Sequence, residues 1–341
     1  MLLKKILYGL ALLAAIIILA YLFQPAKKGS GKDQVTRYQL VEGWPALPQH
    51  ITLGNPTGLA MDTSDNVVVF HRAGRSWPLL GSMPSHTIES KTILVIDSKT
   101  GRLKNSWGDH LFIMPHGLTI DRDNNVWVTD VGLRQVFKFT STGRLLMKLG
   151  QAKTPGNDPA HFNRPTDVGV APDGSFYVSD GYGNNRIIKF SAEGKYLFEW
   201  GRKGNEVGQF NLPHGIDIDE AGNVYVADRE NNRIQVFDPL GKFLKAWSDN
   251  SFASMCSVCF NPSESRLFAV DDHSFFKIRH RGSDVLTFDS AGTVQTRFGR
   301  SGGYNCPVSW YHDLTFDRED NIYIGDILGN TIQKFEKVRS R

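Results

Sequence analysis

The sequence predicts an all-β fold, a six-bladed β-propeller, and three observations carry the prediction. First, His116, His214 and His312 stand 98 residues apart in each step, in the same slot of an internal repeat. Second, each such slot is followed fourteen residues downstream by the end of a second apolar run, usually an acid: His116 to Asp130, Thr166 to Asp180, His214 to Asp228, Ser257 to Asp271, His312 to Asp326, and Thr57 to His71. Third, the runs between turn signals alternate β-branched and aromatic residues with polar ones, which is the pattern of half-buried strands and argues against long helices. Six copies at a period of about 50 residues, four short strands in each, are what a six-bladed ring requires.

The N-terminus precedes that ring. Residues 1–5 are expected to be cytoplasmic, and Ile6 to Phe23 is a run of 18 apolar or near-apolar residues without a charge. That run is just long enough to cross a bilayer, and the segment after it lacks a clean small-residue cleavage site, so an uncleaved transmembrane anchor is expected. Residues 24–36 are rich in Lys, Gly and Ser and read as a tether. With this arrangement the propeller, residues 37–338, faces the extracytoplasmic (periplasmic or extracellular) side. Arg37 to Glu42 is a candidate strand for closing the ring on the last blade.

Within each repeat the first strand runs into a turn such as Asp123-Asn124-Asn125, Pro172-Asp173-Gly174 or Glu220-Ala221-Gly222-Asn223. The second strand ends at the acid. Third strands are expected at Gln135 to Phe139, Arg186 to Phe190, Arg233 to Phe237 and Thr331 to Phe335, and Gly143, Gly194 and Gly241 turn into the fourth.

Radial repetition brings all six first strands to the central channel, and alternate blades lie about 120° apart in a six-fold ring. His116, His214 and His312, on blades 2, 4 and 6, therefore converge on the axis, whereas blades 1, 3 and 5 carry Thr57, Thr166 and Ser257 there. Three neutral imidazoles with one open position form the pattern of a catalytic zinc site. One residue beyond the second-strand slot, blades 1 and 4 carry Arg72 and Arg229, which face one centre and suit a carboxylate; pairing of each with a neighbouring acid such as Asp228 or Glu230 is the alternative.

The net charge of +4 is too small to point to nucleic acid, and the aromatics follow the repeats without clustering among basic residues. Cys256, Cys259 and Cys306 are too few for a disulfide framework and read as small core residues, with a bridge from either of the first two to Cys306 left open.

The chain resembles the lyase half of peptidylglycine α-amidating enzymes. Carrying that resemblance are Val69-Phe70-His71-Arg72, Thr92 to Asp97, Pro115-His116-Gly117-Leu118, Val128-Thr129-Asp130-Val131 and Phe162 to Val168. Val178-Ser179-Asp180-Gly181-Tyr182, Gln209-Phe210, Pro213-His214 and Ala227 to Asn231 extend it, so that it covers about residues 40–336. It implies cleavage of a peptidyl-α-hydroxyglycine to a peptide amide and glyoxylate, with zinc on the three histidines. It further implies a structural calcium held by the backbone carbonyls of Leu59 and Leu118 and the carboxylate of Asp313, and a substrate site lined by Tyr182, Arg72 and Arg229 with Tyr182 as the base. A peptide or small substrate with a carboxylate is the expected partner, supplied by a separate monooxygenase. Asn163, Gly183, Tyr225 and Val236 occupy positions where animal relatives have two disulfides, and Trp310-Tyr311 stands where the family usually has Met-Pro, altering the substrate wall there. Two other functions fit the same repeats: a propeller metallohydrolase using zinc-bound hydroxide, and a non-catalytic propeller that displays loops to protein partners.

Overall fold

A computed structural model describes residues 38–78, 82–275, 279–299 and 309–338. These form six four-stranded antiparallel sheets, each taken in chain order from the hub outward in blades 1 to 5. The first strands are Pro56–Met61, Pro115–Ile120, Asp167–Val170, Pro213–Ile218, Ser254–Asn261 and Tyr311–Phe316. All the third strands expected from the sequence are present, the last extending to Lys337. Blade 6 closes as anticipated: Tyr38–Leu40 pairs with Thr331–Lys337, in the register Tyr38 to Lys337 and Leu40 to Phe335. The anchor expected at residues 6–23 and the tether at 24–36 lie outside the described residues, as does Cys306. Among the described residues no helix is long and apolar enough to cross a membrane.

Repetition in the sequence becomes repetition in the turns. Asp62, Asp121, Asp219 and Asp317 each follow a first strand, and each Oδ1 accepts the amide protons two and four residues on, at 2.8–3.0 Å. Such side-chain capping fixes the hairpin before any tertiary contact is made. Second strands, sandwiched between neighbours, are buried along their whole length in blades 1, 2, 3, 4 and 6. Their large side chains fill the wedges between blades; Trp127 and Val136 of blade 2, for instance, pack with Phe162, Val168, Phe176 and Val178 on the way into blade 3. Each such side chain contributes roughly 1.5–3 kcal/mol by leaving water.

The end of each second strand is a second repeated feature. Asp130 Oδ2 accepts the amides of Ile113 and Met114 at 2.7 and 2.9 Å, Asp180 that of Asn163 at 2.9 Å, Asp228 that of Asn211 at 2.8 Å, and Asp326 that of Trp310 at 2.9 Å. These carboxylates tie down the segment that leads into each first strand. Blade 1 has His71 instead, whose Nδ1 accepts from Ala73 N at 3.0 Å and Gly54 N at 3.3 Å and so does the same work as a neutral ring.

The four disulfide-matching positions still meet. A Cβ on Gly183 would lie 2.2 Å from Asn163 Cγ, and Tyr225 and Val236 are direct cross-strand partners. Packing replaces the bridges.

Candidate active site

The slot residues sit where first strands come nearest the axis, beside the ends of the second strands, as the pairing of Pro115 with Asp130 and of Pro213 with Asp228 shows. Glycines permit that crowding: a Cβ on Gly117 would stand 2.4 Å from Asp167 Oδ1, and one on Gly215 would stand 2.7 Å from Ser257 Cα. The rings of His116, His214 and His312 lie 4.7, 4.8 and 4.9 Å apart, centroid to centroid, and all three are buried. One nitrogen from each lies within 4.8 Å of the others.

Odd-numbered blades set the direction of these rings. His116 Nδ1 is 2.7 Å from the Thr166 carbonyl, His214 Nδ1 is 2.5 Å from that of Cys256, and His312 Nδ1 is 2.8 Å from that of Thr57. A carbonyl accepts only, so each Nδ1 carries the proton and donates, and each Nε2 is left with its lone pair toward the hub. Backbone orientation of this kind is what fixes the tautomer of metal-ligating imidazoles elsewhere. Burial, with the positive neighbours Arg72 and Arg229, holds His312 down to about 3, and burial followed by the other imidazoles lowers His116 and His214 well below the usual range. The trio therefore stays neutral at physiological pH. Sequence spacing found the three rings but missed the carbonyls; the signal available was that Thr57 and Thr166 themselves, and the residue before Ser257, occupy the same register.

Tyr182 enters this hub from blade 3. Its hydroxyl lies 3.1 Å from His116 Nε2 and 3.1 Å from His214 Nε2. Burial raises the phenol's pKa, and the charges of Arg229 and Arg72 pull it back. Arg72 is fully buried against the opposite side: its Nε donates to the Pro115 carbonyl at 3.0 Å, its guanidinium lies 5.2 Å from the Trp77 ring, and burial lowers it to about 10. Arg229 opens a short 3-10 turn, Arg229–Asn231. Arg233 engages Asp228 at 2.7 Å, and Glu230 forms an ion pair with Arg229, its Oε1 3.8 Å from Nε, so Arg229 faces the phenol while paired with one of the two neighbouring acids. Both arginines thus flank the phenol, as their register requires.

Trp310 is partly buried beside Cys256, whereas Tyr311 is fully buried and donates its hydroxyl to Gln333 at 2.8 Å. Cys256 and Cys259 carry free thiols and pack into the core around Phe268, Val270 and Tyr311, as small core residues should. They lie at different depths, Cys256 near Arg229 and Cys259 near Asp217.

Beneath the imidazoles the channel turns acidic. Asp313 Oδ2 accepts from Leu59 N at 2.7 Å and its Oδ1 from the Ser257 hydroxyl at 2.6 Å, while Asp167 Oδ2 accepts from Ile216 N at 3.1 Å. One small cavity is lined by His116, His214 and His312 above and by Asp167 and Asp313 below. Burial first, and then nearby carboxylates, raise both acids, Asp313 to about 7. Asp167 was not among the sequence candidates.

Comparison with known proteins follows the same lines. The NHL repeat family matches residues 162–190 and 210–237. A probable peptidyl-α-hydroxyglycine α-amidating lyase of Caenorhabditis elegans is 41% identical over 81% of this chain and 80% of its own length. Peptidyl-glycine α-amidating monooxygenase B of Xenopus laevis is 36% identical over 86% of this chain, which spans only 35% of that relative. NHL repeat-containing protein 3 of Homo sapiens is 33% identical over 91% of this chain and 87% of its own length. Among solved structures, a streptogramin B lyase superposes with a TM-score of 0.56 at 14% identity, over 88% of this chain and 97% of that one, a likeness of fold alone.

Proposed function

The chain belongs to the peptidyl-α-hydroxyglycine α-amidating lyase family, and from that premise we propose that it is a zinc-dependent lyase cleaving the C–N bond of peptidyl-α-hydroxyglycines to a peptide amide and glyoxylate. The observation that carries this reading is the seating of the Tyr182 hydroxyl 3.1 Å from two imidazoles of the converged trio, near the buried Arg72 and the half-buried Arg229. Zinc held by the Nε2 atoms of His116, His214 and His312 would supply Lewis acidity to a substrate oxygen. Three neutral nitrogen donors, each oriented from behind, suit that ion.

In this reading the guanidiniums of Arg72 and Arg229 hold the substrate carboxylate, a task for planar, permanently charged groups. Trp310 forms part of the wall. Tyr182, as phenolate, takes the proton of the α-hydroxyl; the C–O bond becomes a carbonyl as the C–N bond breaks, and the electron pair leaves on the amide nitrogen, which recovers the proton from the phenol. No oxidant or reductant is consumed. Burial, and after it the neighbouring Cys256, opposes ionisation of the phenol, so its working form depends on the positive charge of Arg229 and Arg72.

We also propose that Asp313, with the carbonyls of Leu59 and Leu118, holds a structural calcium. Two acids lining one small cavity fit a hard cation, which would offset the charge that their desolvation penalises. A membrane anchor at residues 6–23, an extracytoplasmic propeller and a separate monooxygenase as the source of hydroxylated peptide complete the proposal. Protease shaving of intact cells tests the topology: a protected propeller sinks it. For the reaction, the zinc-loaded protein is given an α-hydroxyglycine-terminated peptide, and glyoxylate release is compared with hydrolysis of esters and lactones. Glyoxylate with peptide amide is expected; ester or lactone hydrolysis without glyoxylate overturns the reading in favour of a hydrolase.

A further inference from the structure

The loop between second and third strands is short in blades 2, 3, 4 and 6 but runs from Arg72 to Thr92 in blade 1. Of its described residues, 72–78 and 82–92, Trp77 reaches the face where the imidazoles converge, because its ring contacts Tyr182 and Tyr182 contacts His116. Arg75 Nη1 ties the segment to itself through the His86 carbonyl at 2.7 Å and to the stretch leading into blade 2 through that of Ile113 at 2.7 Å, and Ile88 N to Phe112 O at 2.7 Å and His110 N to Ile88 O at 2.8 Å add to the second link. Lys153 Nζ adds a bond to Ser85 O at 2.7 Å. What the lashed segment delivers to the site is Trp77.

The Trp77 ring lies 4.9 Å from that of Tyr182, at an interplanar angle of 35°, while the Arg72 guanidinium lies 5.2 Å from the same ring. Behind it, Ile113, Met114 and Val131 are buried, with Met83, Leu133 and Tyr182 itself packed against them, so the indole and the phenol share one seat. Tyr182 needs such support. It stands between Gly181 and Gly183, which offer no side chains to brace it, and its amide makes only a long bond, 3.4 Å, to Arg164 O. Among the described residues the rings against Tyr182 are Trp77 on one side and His116 and His214 on the other.

We propose that Trp77 is a positioning residue of this site, clamping the Tyr182 phenol against His116 and His214 so that its hydroxyl stays within reach of both. The inference rests on the lyase reading for its kinetic consequence but not for the packing it describes. Misplacing a reacting group by about 1 Å costs on the order of 100-fold in rate, whereas an aromatic pair is worth roughly 0.5–1.5 kcal/mol, so the loss belongs in turnover more than in stability.

The test compares Trp77→Ala with Trp77→Phe in the zinc-loaded protein on an α-hydroxyglycine peptide. Trp77→Ala is expected to lower kcat roughly 10- to 100-fold with KM moving less than about threefold, with bound zinc and Tm kept, and Trp77→Phe to restore most of kcat. An unchanged kcat, a Phe variant as impaired as the Ala variant, a raised KM at constant kcat, or a loss of zinc and Tm alongside kcat would each overturn it. A second measurement is independent of turnover: nitration of Tyr182 by tetranitromethane, located by mass spectrometry, should speed up about tenfold in Trp77→Ala and little in Trp77→Phe. Absence of glyoxylate from the wild type would end the lyase reading alone; equal nitration of wild type and Trp77→Ala would end this one.

Discussion

Two rings of residues a few ångströms apart follow opposite rules. At the ends of the second strands, five blades carry a buried acid and one carries His71, and all of them accept backbone amides. At the hub the six slots divide into three imidazoles and three hydroxyl residues, whose strands supply the carbonyls behind the imidazoles. Uniformity marks what every blade needs in order to stand. Regular alternation marks what only the whole ring can make, because no single blade gains from it.

Substitution separates the rings. His214→Ala should abolish glyoxylate release, by roughly 10⁴-fold or more, and lower bound zinc while Tm moves little; retention of turnover would erase the distinction between the rings. Asp228→Ala is the counterpart. Asp228 accepts from Asn211 N at 2.8 Å, Asn231 Nδ2 at 2.8 Å and Arg233 Nε at 2.7 Å, and its removal leaves these donors around a buried position without their acceptor and breaks the ion pair with Arg233. Calorimetry or denaturant titration should record a loss of about 3–5 kcal/mol, with the specific activity of the remaining folded protein kept. Between these extremes, Tyr182→Phe should lower kcat about 10²- to 10³-fold at unchanged stability, and a fully active variant would remove the phenol from the mechanism. Arg72→Lys and Arg229→Lys keep the charge but lose the fork, so kcat/KM should fall about 10- to 100-fold, or roughly 1.4–2.7 kcal/mol.

The smallest effect belongs to the exception in the uniform ring. Burial lowers His71 from 6.5 to about 4, so the unfolded chain binds the proton more readily than the folded one. Its contribution to stability is whole above pH 6.5 and is lost as the pH falls from there toward about 4. Between pH 7.5 and 5.5 the wild type should lose about 1 kcal/mol more than His71→Asn, which keeps an acceptor but does not titrate. Parallel curves for the two proteins would show that His71 does not act as the neutral stand-in for an acid.

Most of the fold was legible because it is written six times: the fourteen-residue step, the Asp turns and the third strands recur, and one misread copy is corrected by five others. The imidazole trio was legible for the same reason. What lay hidden belongs to single copies or to the backbone. Nothing in a linear pattern shows that Thr166 O faces His116 Nδ1, and Trp77 reaches Tyr182 from a long loop that blades 2, 3, 4 and 6 lack. The depths of Cys256 and Cys259 depend on an irregularity of register between Met255 and Ser257, which strand alternation does not foresee.

The seam in the last blade has a consequence for biogenesis. Its outermost strand comes from Tyr38–Leu40 and its other three from the final stretch of the polypeptide, where His312 also resides. Synthesis thus completes five spokes and two of the three hub imidazoles before the third is made, and the circle closes only when Tyr38–Leu40 meets Thr331–Lys337, a strand made far later. Any ion that requires all three rings can therefore load only once the sixth blade is in place.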